Sequence, residues 1–293
     1  MRKIKIASSI LLFLLTLTCF SQTKKEIFTQ GTVTQKHFSK EIPFKYIKRH
    51  IFIEVVINSK KYDFLFDTAY SLSAIDKSII SDVDHKKISS DEVTGSAIKK
   101  PSNLTIIDLS KISIDSIDFH STSALIQDLS FIQKNYSELT IAGVVGNNLL
   151  RKLNWQIDYK NKTIKMSDSE ESMPVQPSAL VLKLSGNTYG NAYISSVIDD
   201  RKIDFLFDLG SSGKFTLNNK LLSKFTKKDQ SRFKVEKNKT EYLSDEIQLD
   251  KLKFTNETIT FEEGVSNLLG NMFFENYVVS IFWNKNEIWL TPM

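Results

Sequence analysis

The chain has 293 residues, of which 41% are hydrophobic and 25% are charged, and its formal net charge is +5 at pH 7. This composition is that of a globular protein with room for one large domain or two of ordinary size. The single cysteine, Cys19, lies in an N-terminal leader. Disulfides, thiolate nucleophiles and cysteine zinc sites are therefore excluded from the rest of the chain.

The first 21 residues have the pattern of a secretory signal peptide. Three basic residues precede the apolar run 10–15, and Cys19 and Ser21 occupy the two positions that a signal peptidase inspects. We expect cleavage before Gln22 and export to the periplasm or the medium. Lipid attachment at Cys19 is the less favoured alternative, because threonines flank it. The run is too short to span a membrane, and we expect no span in the mature chain.

Removal of the leader takes three basic residues with it and lowers the net charge to about +2. The remaining lysines are scattered among acidic and aromatic residues, which favours a solvated surface and not a nucleic-acid interface. The four histidines show no ligand spacing. We therefore expect no metal, no cofactor and no Ser-His site.

One segment of the chain occurs twice. A shift of 141 positions carries Asp67 onto Asp208 and lays residues 51–67 over 192–208 without a gap, with nine of the seventeen pairs identical. The pentamer DFLFD ends both copies. In each copy a polar tetrad separates two apolar stretches, which predicts a β-hairpin whose second strand is buried and ends at the aspartate.

A second pair of elements repeats further along the chain. Residues 144–147 match 268–271, and both place a glycine after two apolar residues. The spacing from aspartate to glycine is longer in the first copy, and we expect the additional loop within residues 84–100, with a flap hairpin around 93–99. Both halves are rich in strand-forming residues, and helices are limited to short stretches such as 147–152. The sequence predicts a mostly β protein with two homologous lobes.

These patterns divide the chain into five parts. We expect a signal peptide at residues 1–21, an N-terminal segment at 22–42, a first lobe at 43–167, a linker at 168–178 and a second lobe at 179–293. The linker contains acidic residues and two prolines. Part of the N-terminal segment is either a short pro-segment or an additional strand, and the sequence favours neither.

The repeated aspartates suggest a chemistry that needs two copies. A carboxylate at the end of a buried apolar strand is partly desolvated, which raises its pKa. Two such groups that face each other across a pseudo-twofold interface cannot both ionise easily. One then serves as a base and the other as an acid toward a water between them. Asp67 and Asp208 are therefore the candidate catalytic pair.

The turns after the two aspartates resemble those of a known family. DTAYS, which begins at Asp67, and DLGSS, which begins at Asp208, are similar to the Asp-Thr-Gly-Ser/Ala turn of pepsin-like and retropepsin-like aspartic proteases. The elements at Gly146 and Gly270 resemble the family's second signature motif, which crosses under that turn. The resemblance extends from about Pro43 to the end and is closest to bacterial exported proteins with two retropepsin-like lobes.

This resemblance implies two β-barrel lobes related by an intramolecular pseudo-twofold axis, with a cleft between them. It implies an aspartic endopeptidase that acts as a monomer on a peptide or protein substrate, with Asp67 and Asp208 holding and activating the water. Thr68 would brace the opposite lobe, backbone N–H groups would donate to the carboxylates, and a serine would fix the outer oxygen of Asp208. The implied supporting residues are Thr68, Ala69, Ser71, Gly210 and Ser211.

Three residues depart from the family pattern. Ala69 stands where glycine is usual, Leu209 stands where threonine is usual, and Tyr70 replaces a small residue. Leu209 removes the reciprocal hydroxyl, so a buried Thr68 hydroxyl would cost about 1–3 kcal/mol if it were left unpaired. These departures leave a second hypothesis open, a catalytically inactive pseudo-protease that binds extended peptides in the cleft. A Tyr70 ring between the two carboxyl groups would favour that alternative.

Overall fold

The structure is a computed structural model, and it describes residues 24–95, 98–186, 190–225, 227–236 and 239–293. The expected signal peptide and the tip of the expected flap hairpin lie outside the described residues. Within them, no helix has the length and apolar character that crossing a membrane would require.

The first half of the chain contains twelve strands in its described part. They are β1 (Thr32–Val33), β2 (Ser39–Pro43), β3 (Lys45–Ile47), β4 (His50–Ile57), β5 (Lys60–Phe66), β6 (Ser73–Asp76), β7 (His85–Gly95), β8 (Ile98–Ile114), β9 (Ile117–Gln127), β10 (Ile141–Val145), β11 (Asn154–Asp158) and β12 (Thr163–Ser167). The helices of this half are short: α1 (Lys24–Thr29), α2 (Ser130–Gln133) and α3 (Asn147–Leu150), with a 3-10 turn at Ile80–Asp82.

Six of these strands form the barrel of the first lobe. They pair in the order β4, β5, β10, β6, β9 and β8, and β8 pairs back with β4 to close the barrel. The pairs β5–β10 and β6–β9 are parallel, whereas the other barrel pairs are antiparallel. Closure leaves these six strands without a free edge.

The strands of the second half are β13 (Leu180–Lys183), β14 (Ser185–Gly186), β15 (Ala192–Ile194), β16 (Ser196–Ile198), β17 (Arg201–Lys202), β18 (Phe205–Asp208), β19 (Phe215–Asn218), β20 (Phe233–Glu236), β21 (Lys239–Leu249), β22 (Leu252–Glu262), β23 (Leu268–Gly270), β24 (Tyr277–Phe282) and β25 (Glu287–Pro292). The short helices are α4 (Asn271–Phe274) and 3-10 turns at Glu170–Ser172, Asn219–Lys224 and Lys227–Arg232.

The second lobe repeats the topology of the first. Its strands pair in the order β15, β18, β23, β19, β22, β21 and β16, and only Ser195 separates β15 from β16. The parallel pairs β18–β23 and β19–β22 correspond to β5–β10 and β6–β9. The expected all-β, retropepsin-like fold class is confirmed.

A third sheet joins the two lobes. Its strand order is β13, β25, β24, β11, β12 and β2, with β11 and β24 antiparallel at the centre. Gln156 lies opposite Ser280, and its Nε2 donates to the Ser280 Oγ at 2.9 Å. These two residues occupy equivalent places in their lobes, so the pseudo-twofold axis passes between them.

The predicted hairpins are present in both lobes. Residues 58–59 form the turn between β4 and β5, and residues 199–200 form the turn between β16 and β17. All four turn residues have φ between 43° and 69°, which matches the left-handed conformation of a two-residue hairpin loop and suits Asn and Asp. Each hairpin thereby directs its second strand toward the aspartate.

The extra chain of the first lobe lies partly elsewhere than expected. The connection from β9 to β10 spans residues 128–140 and includes α2, whereas its counterpart from β22 to β23 spans only 263–267. Leu129, Tyr136 and Leu139 in this connection are buried in a small apolar cluster. The prediction that placed the additional loop within 84–100 was therefore wrong for much of it, because the connection folds onto the barrel as packed structure.

The N-terminal segment is ordered against the first lobe. Helix α1 buries Ile27 in the same small cluster, β1 pairs with β9, and β2 pairs with β12. Residues at the linker hold this segment, since the Asp168 carboxylate accepts hydrogen bonds from the backbone N–H groups of His37 and Phe38 at 2.8 and 3.0 Å.

Candidate active site

Both aspartates stand at the end of a buried parallel strand. Phe64 and Phe66 in β5 are fully buried, and the Asp67 N–H donates to the Val145 carbonyl of β10 at 3.1 Å. In the second lobe Asp208 is the last residue of β18 and lies opposite Gly270. Because side chains alternate along a strand, the buried phenylalanines face the core and the aspartate faces away from it. The apolar run therefore anchors the strand that presents the carboxyl group.

Backbone N–H groups of the following turn hold each carboxylate. Asp67 Oδ1 accepts from Ala69 N at 2.8 Å and from Tyr70 N at 3.0 Å. Asp208 Oδ1 accepts from Gly210 N at 2.8 Å, and the backbone of Ser211 also donates to this carboxyl group. Such bonds favour the ionised form of a carboxyl group and fix its orientation.

The glycine of the second motif packs directly under each turn. A Cβ on Gly146 would lie 2.6 Å from the Tyr70 carbonyl oxygen, and a Cβ on Gly270 would lie 2.6 Å from the Gly213 carbonyl oxygen. The residue after each glycine donates its N–H to the turn: Asn147 to Tyr70 O at 2.7 Å, and the equivalent residue of the second lobe to Ser211 O at 2.8 Å. Only glycine permits this approach of two backbones.

Thr68 connects the two turns across the lobe junction. Its fully buried hydroxyl donates to the Phe207 carbonyl oxygen at 2.8 Å and accepts from the Leu209 N–H at 2.9 Å. The concern that this hydroxyl would be left unpaired is therefore wrong, because its partners are backbone groups, which Leu209 supplies as well as threonine would. The fully buried Leu209 side chain offers no hydroxyl in return.

The two carboxyl groups meet at this junction. Asp67 and Asp208 are hydrogen-bonded to each other, and Asp208 is only 7% exposed. Gly210 lies against the same pair, since a Cβ on it would come within 2.2 Å of Asp67 Oδ2. Position 210 therefore requires glycine, because the Asp67 carboxyl group leaves no room for a side chain there.

Burial and mutual repulsion set the protonation of the pair. Burial raises the pKa of Asp67 to about 6, although the N–H groups of Ala69 and Tyr70 oppose the shift. Burial and the negative charge of Asp67 raise the pKa of Asp208 well above its ordinary value. Between these two titrations the pair shares one proton.

The remaining side chains of the turns point to other partners. The Tyr70 hydroxyl hydrogen-bonds Gln127 Oε1 at the end of β9, so its ring does not separate the two carboxyl groups. The Ser71 hydroxyl donates to Asn191 Oδ1 of the other lobe at 2.7 Å. Ser71 therefore connects the two lobes. The backbone N–H of Tyr70, and not a serine side chain, donates the hydrogen bond to the Asp67 carboxylate.

The hydroxyl of Ser211 has a different partner from the one that the family pattern implies. Among the hydrogen bonds of the described residues, its Oγ accepts from Gly213 N at 3.4 Å, and the contribution of Ser211 to Asp208 comes from its backbone N–H. This turn therefore holds its carboxylate through backbone groups.

Three residues at the junction were not singled out from the sequence. They are Gln127, Asn191 and His50, the last of which lies near the Gly210 carbonyl group. The repeat contained a signal for two of them, because the shift of 141 positions carries His50 onto Asn191. In the described part of the chain, no group of three or more His, Cys, Asp or Glu side chains could hold a metal ion.

The mostly β fold with its closed six-stranded barrel is that of retropepsin-like proteins. Residues 53–149 match the sequence model of a family described as aspartyl protease. The expected resemblance to retropepsin-like aspartic proteases is thus confirmed for this part of the first lobe. No curated protein matches the chain significantly.

Proposed function

We propose that the protein is an exported aspartic endopeptidase in which Asp67 and Asp208 form the catalytic dyad. The observation that carries this proposal is the hydrogen-bonded pair of carboxyl groups, one from each lobe, at the end of two equivalent strands. The match to the aspartyl protease family supports the reaction class.

We assign different roles to the two members of the pair. Asp67, whose pKa burial raises to about 6, is the base, and Asp208, whose pKa is raised well above its ordinary value by burial and by the charge of Asp67, carries the proton. A water bound by both carboxyl groups gives a proton to Asp67 as its oxygen attacks the carbonyl carbon of the peptide. Asp208 donates its proton to the carbonyl oxygen, which yields a neutral gem-diol.

Collapse of the gem-diol completes the reaction. The bond between carbon and nitrogen breaks, Asp67 gives its proton to the leaving nitrogen, and Asp208 takes a proton back from a hydroxyl of the diol. The products are a carboxylic acid and an amine, and the dyad returns to its singly protonated state. The N–H groups that hold Asp67 and Asp208 keep both carboxyl groups oriented throughout.

Replacement of either aspartate tests the proposal. We expect Asp67→Asn and Asp208→Asn to lower the cleavage of an unstructured protein or a peptide library by at least about a hundredfold, because each removes a proton-transfer group. The exposed Asp84→Asn serves as a matched control and should cleave at the wild-type rate. Undiminished cleavage by both dyad variants would rule out the proposed site.

A second candidate is a peptide-binding pseudo-protease. It is favoured by Leu209, whose buried apolar side chain leaves the junction with one bracing threonine in place of two. In that case the wild-type protein would bind extended peptides without turnover, and Asp67→Asn would retain the peptide affinity. The direction of the Tyr70 ring toward Gln127 supports the catalytic candidate.

Export is proposed from the leader pattern of residues 1–21. Expression of the full chain in a Gram-negative host, followed by fractionation and N-terminal sequencing, tests it. We expect a mature N-terminus at Gln22 outside the cytoplasm. A protein that keeps Met1 in the cytoplasmic fraction would contradict export, and a lipid-modified Cys19 would replace the soluble form with an anchored one.

A further inference from the structure

A buried asparagine holds the second aspartate turn with two hydrogen bonds. Asn271 is the first residue of α4 and is fully buried. Its backbone N–H donates to the Ser211 carbonyl oxygen at 2.8 Å, and its side-chain Nδ2 donates to the Leu209 carbonyl oxygen at 2.5 Å. The two acceptors lie on either side of Gly210, the residue whose N–H holds Asp208.

The Leu209 carbonyl and the Gly210 N–H belong to the same peptide group. That group is planar, so a hydrogen bond that fixes the direction of its C=O also fixes the direction of its N–H. The Gly210 N–H donates to Asp208 Oδ1 at 2.8 Å. The side chain of Asn271 is therefore connected to the carboxyl group of Asp208 through one rigid unit.

The first lobe supplies the partner that orients the Asn271 amide. Tyr159, which follows β11, donates from its hydroxyl to Asn271 Oδ1 at 2.7 Å. Because a carbonyl oxygen only accepts, the amide must turn its nitrogen toward Leu209 and its oxygen toward the tyrosine, which then has to donate. The series of hydrogen bonds therefore runs from the first lobe to the second aspartate turn.

The Tyr159 ring is held in place by its neighbours. It is buried, and it packs edge to face on the rings of Phe44 and Tyr46, with centroids 6.1 and 5.3 Å away. Tyr46 in turn donates to Glu275 Oε2 at 3.0 Å, and the same carboxylate pairs with Arg49. Burial and the nearby Tyr46 and Glu275 raise the pKa of Tyr159 well above its ordinary value, so its hydroxyl keeps the proton that it donates.

The pseudo-symmetric residues do not form the same contacts. A shift of 124 positions carries Asn147 onto Asn271 and Tyr159 onto Trp283. The Nδ2 of Asn147 donates to the Gly190 carbonyl, and neither its Oδ1 nor the Trp283 Nε1 has a hydrogen-bond partner among the described residues. The support from a tyrosine and an asparagine side chain is thus specific to the second turn.

We propose that Asn271 is a positioning residue for the dyad, which acts through the peptide group between Leu209 and Gly210 and is itself oriented by Tyr159 of the first lobe. The inference rests on the proposed function for its catalytic consequence. Its structural consequence, a fixed Gly210 N–H at the Asp208 carboxyl group, can be measured without turnover.

Removal of the Tyr159 hydroxyl tests the proposal with little change in packing. Tyr159→Phe keeps the ring and removes only the donor that orients the Asn271 amide. We expect kcat to fall about tenfold, with KM changed less than about twofold, because the Gly210 N–H loses its fixed direction.

A second buried tyrosine provides a matched control. Tyr242 is fully buried in the second lobe, and its hydroxyl donates to Asp199 Oδ2 at 2.6 Å, at the turn between β16 and β17. Tyr242→Phe therefore also removes one buried hydroxyl and should lower stability, but it should keep the wild-type kcat.

The titration of the dyad supplies the readout that does not need activity. With ¹³C-labelled aspartate, the carboxyl signals of Asp67 and Asp208 are followed by NMR against pH in the wild type and in both tyrosine variants. A weaker bond from the Gly210 N–H removes support for the charged form of Asp208. The higher apparent pKa of the pair should therefore rise by about half a unit or more in Tyr159→Phe and stay unchanged in Tyr242→Phe.

Should Tyr159→Phe fail to fold, the wild-type protein still decides the question. The scalar coupling across the hydrogen bond between the Asn271 side-chain nitrogen and the Leu209 carbonyl carbon is measured by NMR, with the couplings across backbone hydrogen bonds of the barrel strands as the reference. A coupling of similar size supports the proposal, and its absence beside the reference couplings overturns it.

The outcomes distinguish the two proposals. A wild-type protein without cleavage would contradict the proposed function, and the NMR titration would still decide the role of Asn271. Equal dyad titrations in the wild type and Tyr159→Phe, or a wild-type kcat in that variant, would overturn the positioning role. An equal drop in kcat in Tyr242→Phe would also overturn it, since the loss would then follow from lower stability alone.

Discussion

The hydroxyl group of Thr68 joins the two lobes at a single atom. It is fully buried and has two backbone partners in the turn of the other lobe, one that accepts and one that donates. A lone side chain can do this because the backbone of any residue at position 209 offers the same N–H. Leucine in place of threonine at position 209 removes one of the two hydroxyl braces of the family pattern. The other brace, the Thr68 hydroxyl, keeps both of its hydrogen-bond partners.

Replacement of Thr68 with valine should therefore be costly. The variant keeps the shape of the side chain but leaves the Phe207 carbonyl and the Leu209 N–H buried without their partner, and we expect the free energy of unfolding to fall by about 1–3 kcal/mol. Denaturant unfolding measures it. Thr258→Val, at an exposed position of β22, is the control and should change stability by less than about 0.5 kcal/mol. Equal stability of the two variants would refute the brace.

The raised pKa values of the dyad predict the pH dependence of cleavage. Because the pKa of Asp67 is about 6, acidification below that value protonates the base, and kcat/KM should fall about tenfold per pH unit. Above pH 6 the rate should stay high until Asp208, whose pKa is raised well above its ordinary value, loses its proton. Rates measured from pH 4 to pH 9 check this. Maximal cleavage at pH 4 would show that the ionised form of Asp67 is not the base.

At the scale of elements, each aspartate turn rests on the glycine at the end of a neighbouring parallel strand. The strand that leads to the aspartate and the strand that leads to the glycine are parallel neighbours in both barrels. The chain leaves the glycine as a short helix whose first N–H groups hydrogen-bond the turn. The turn, the glycine and the helix N-terminus therefore form one packed unit, repeated once per lobe.

Substitution of Gly146 with alanine should disrupt that unit in the first lobe. The added Cβ would meet the Tyr70 carbonyl oxygen at 2.6 Å, and backbone atoms cannot yield as a flexible side chain would, so we expect a loss of about 2–3 kcal/mol in unfolding free energy. At Gly186 the nearest atom to an added Cβ is 3.7 Å away. Gly186→Ala is thus the control in a thermal unfolding series, and equal melting temperatures would contradict the close packing.

At the scale of the molecule, the two barrels share both a sheet and a core. Strands β11 and β24 pair along their length at the pseudo-twofold axis, and one continuous cluster of buried apolar side chains runs through both lobes. Contacts between the lobes thus include backbone hydrogen bonds, apolar packing and the brace at the dyad. Neither lobe can unfold without exposing part of the core of the other.

Unfolding is therefore expected to be one cooperative transition. Hydrogen exchange followed by mass spectrometry in increasing denaturant would report β5 and β10 in the first barrel separately from β18 and β23 in the second. We expect their protection to be lost at the same midpoint, because the shared sheet and core couple the two barrels. A first barrel that loses protection while the second keeps it would show that the lobes are independent domains.

The local pattern of the sequence determined the two hairpins, the strands that end in Asp67 and Asp208, and the glycines at 146 and 270. These features are encoded by residues close together in the chain: alternation, turn residues with positive φ and apolar runs. The repeat doubled every signal. That is why the fold class and the candidate dyad could be predicted before any contact was known.

Only the tertiary structure decided which side chains surround the dyad. Tyr70 binds Gln127 and Ser71 binds Asn191, partners far apart in sequence, and neither hydroxyl is hydrogen-bonded to a carboxyl group of the dyad in these contacts. His50 lies near the opposite lobe for the same reason, since the neighbouring Arg49 pairs with Glu275 of that lobe at 3.3 Å. Such contacts depend on how the two barrels pack against each other. The periodicity of a local stretch of sequence carries no information about that packing.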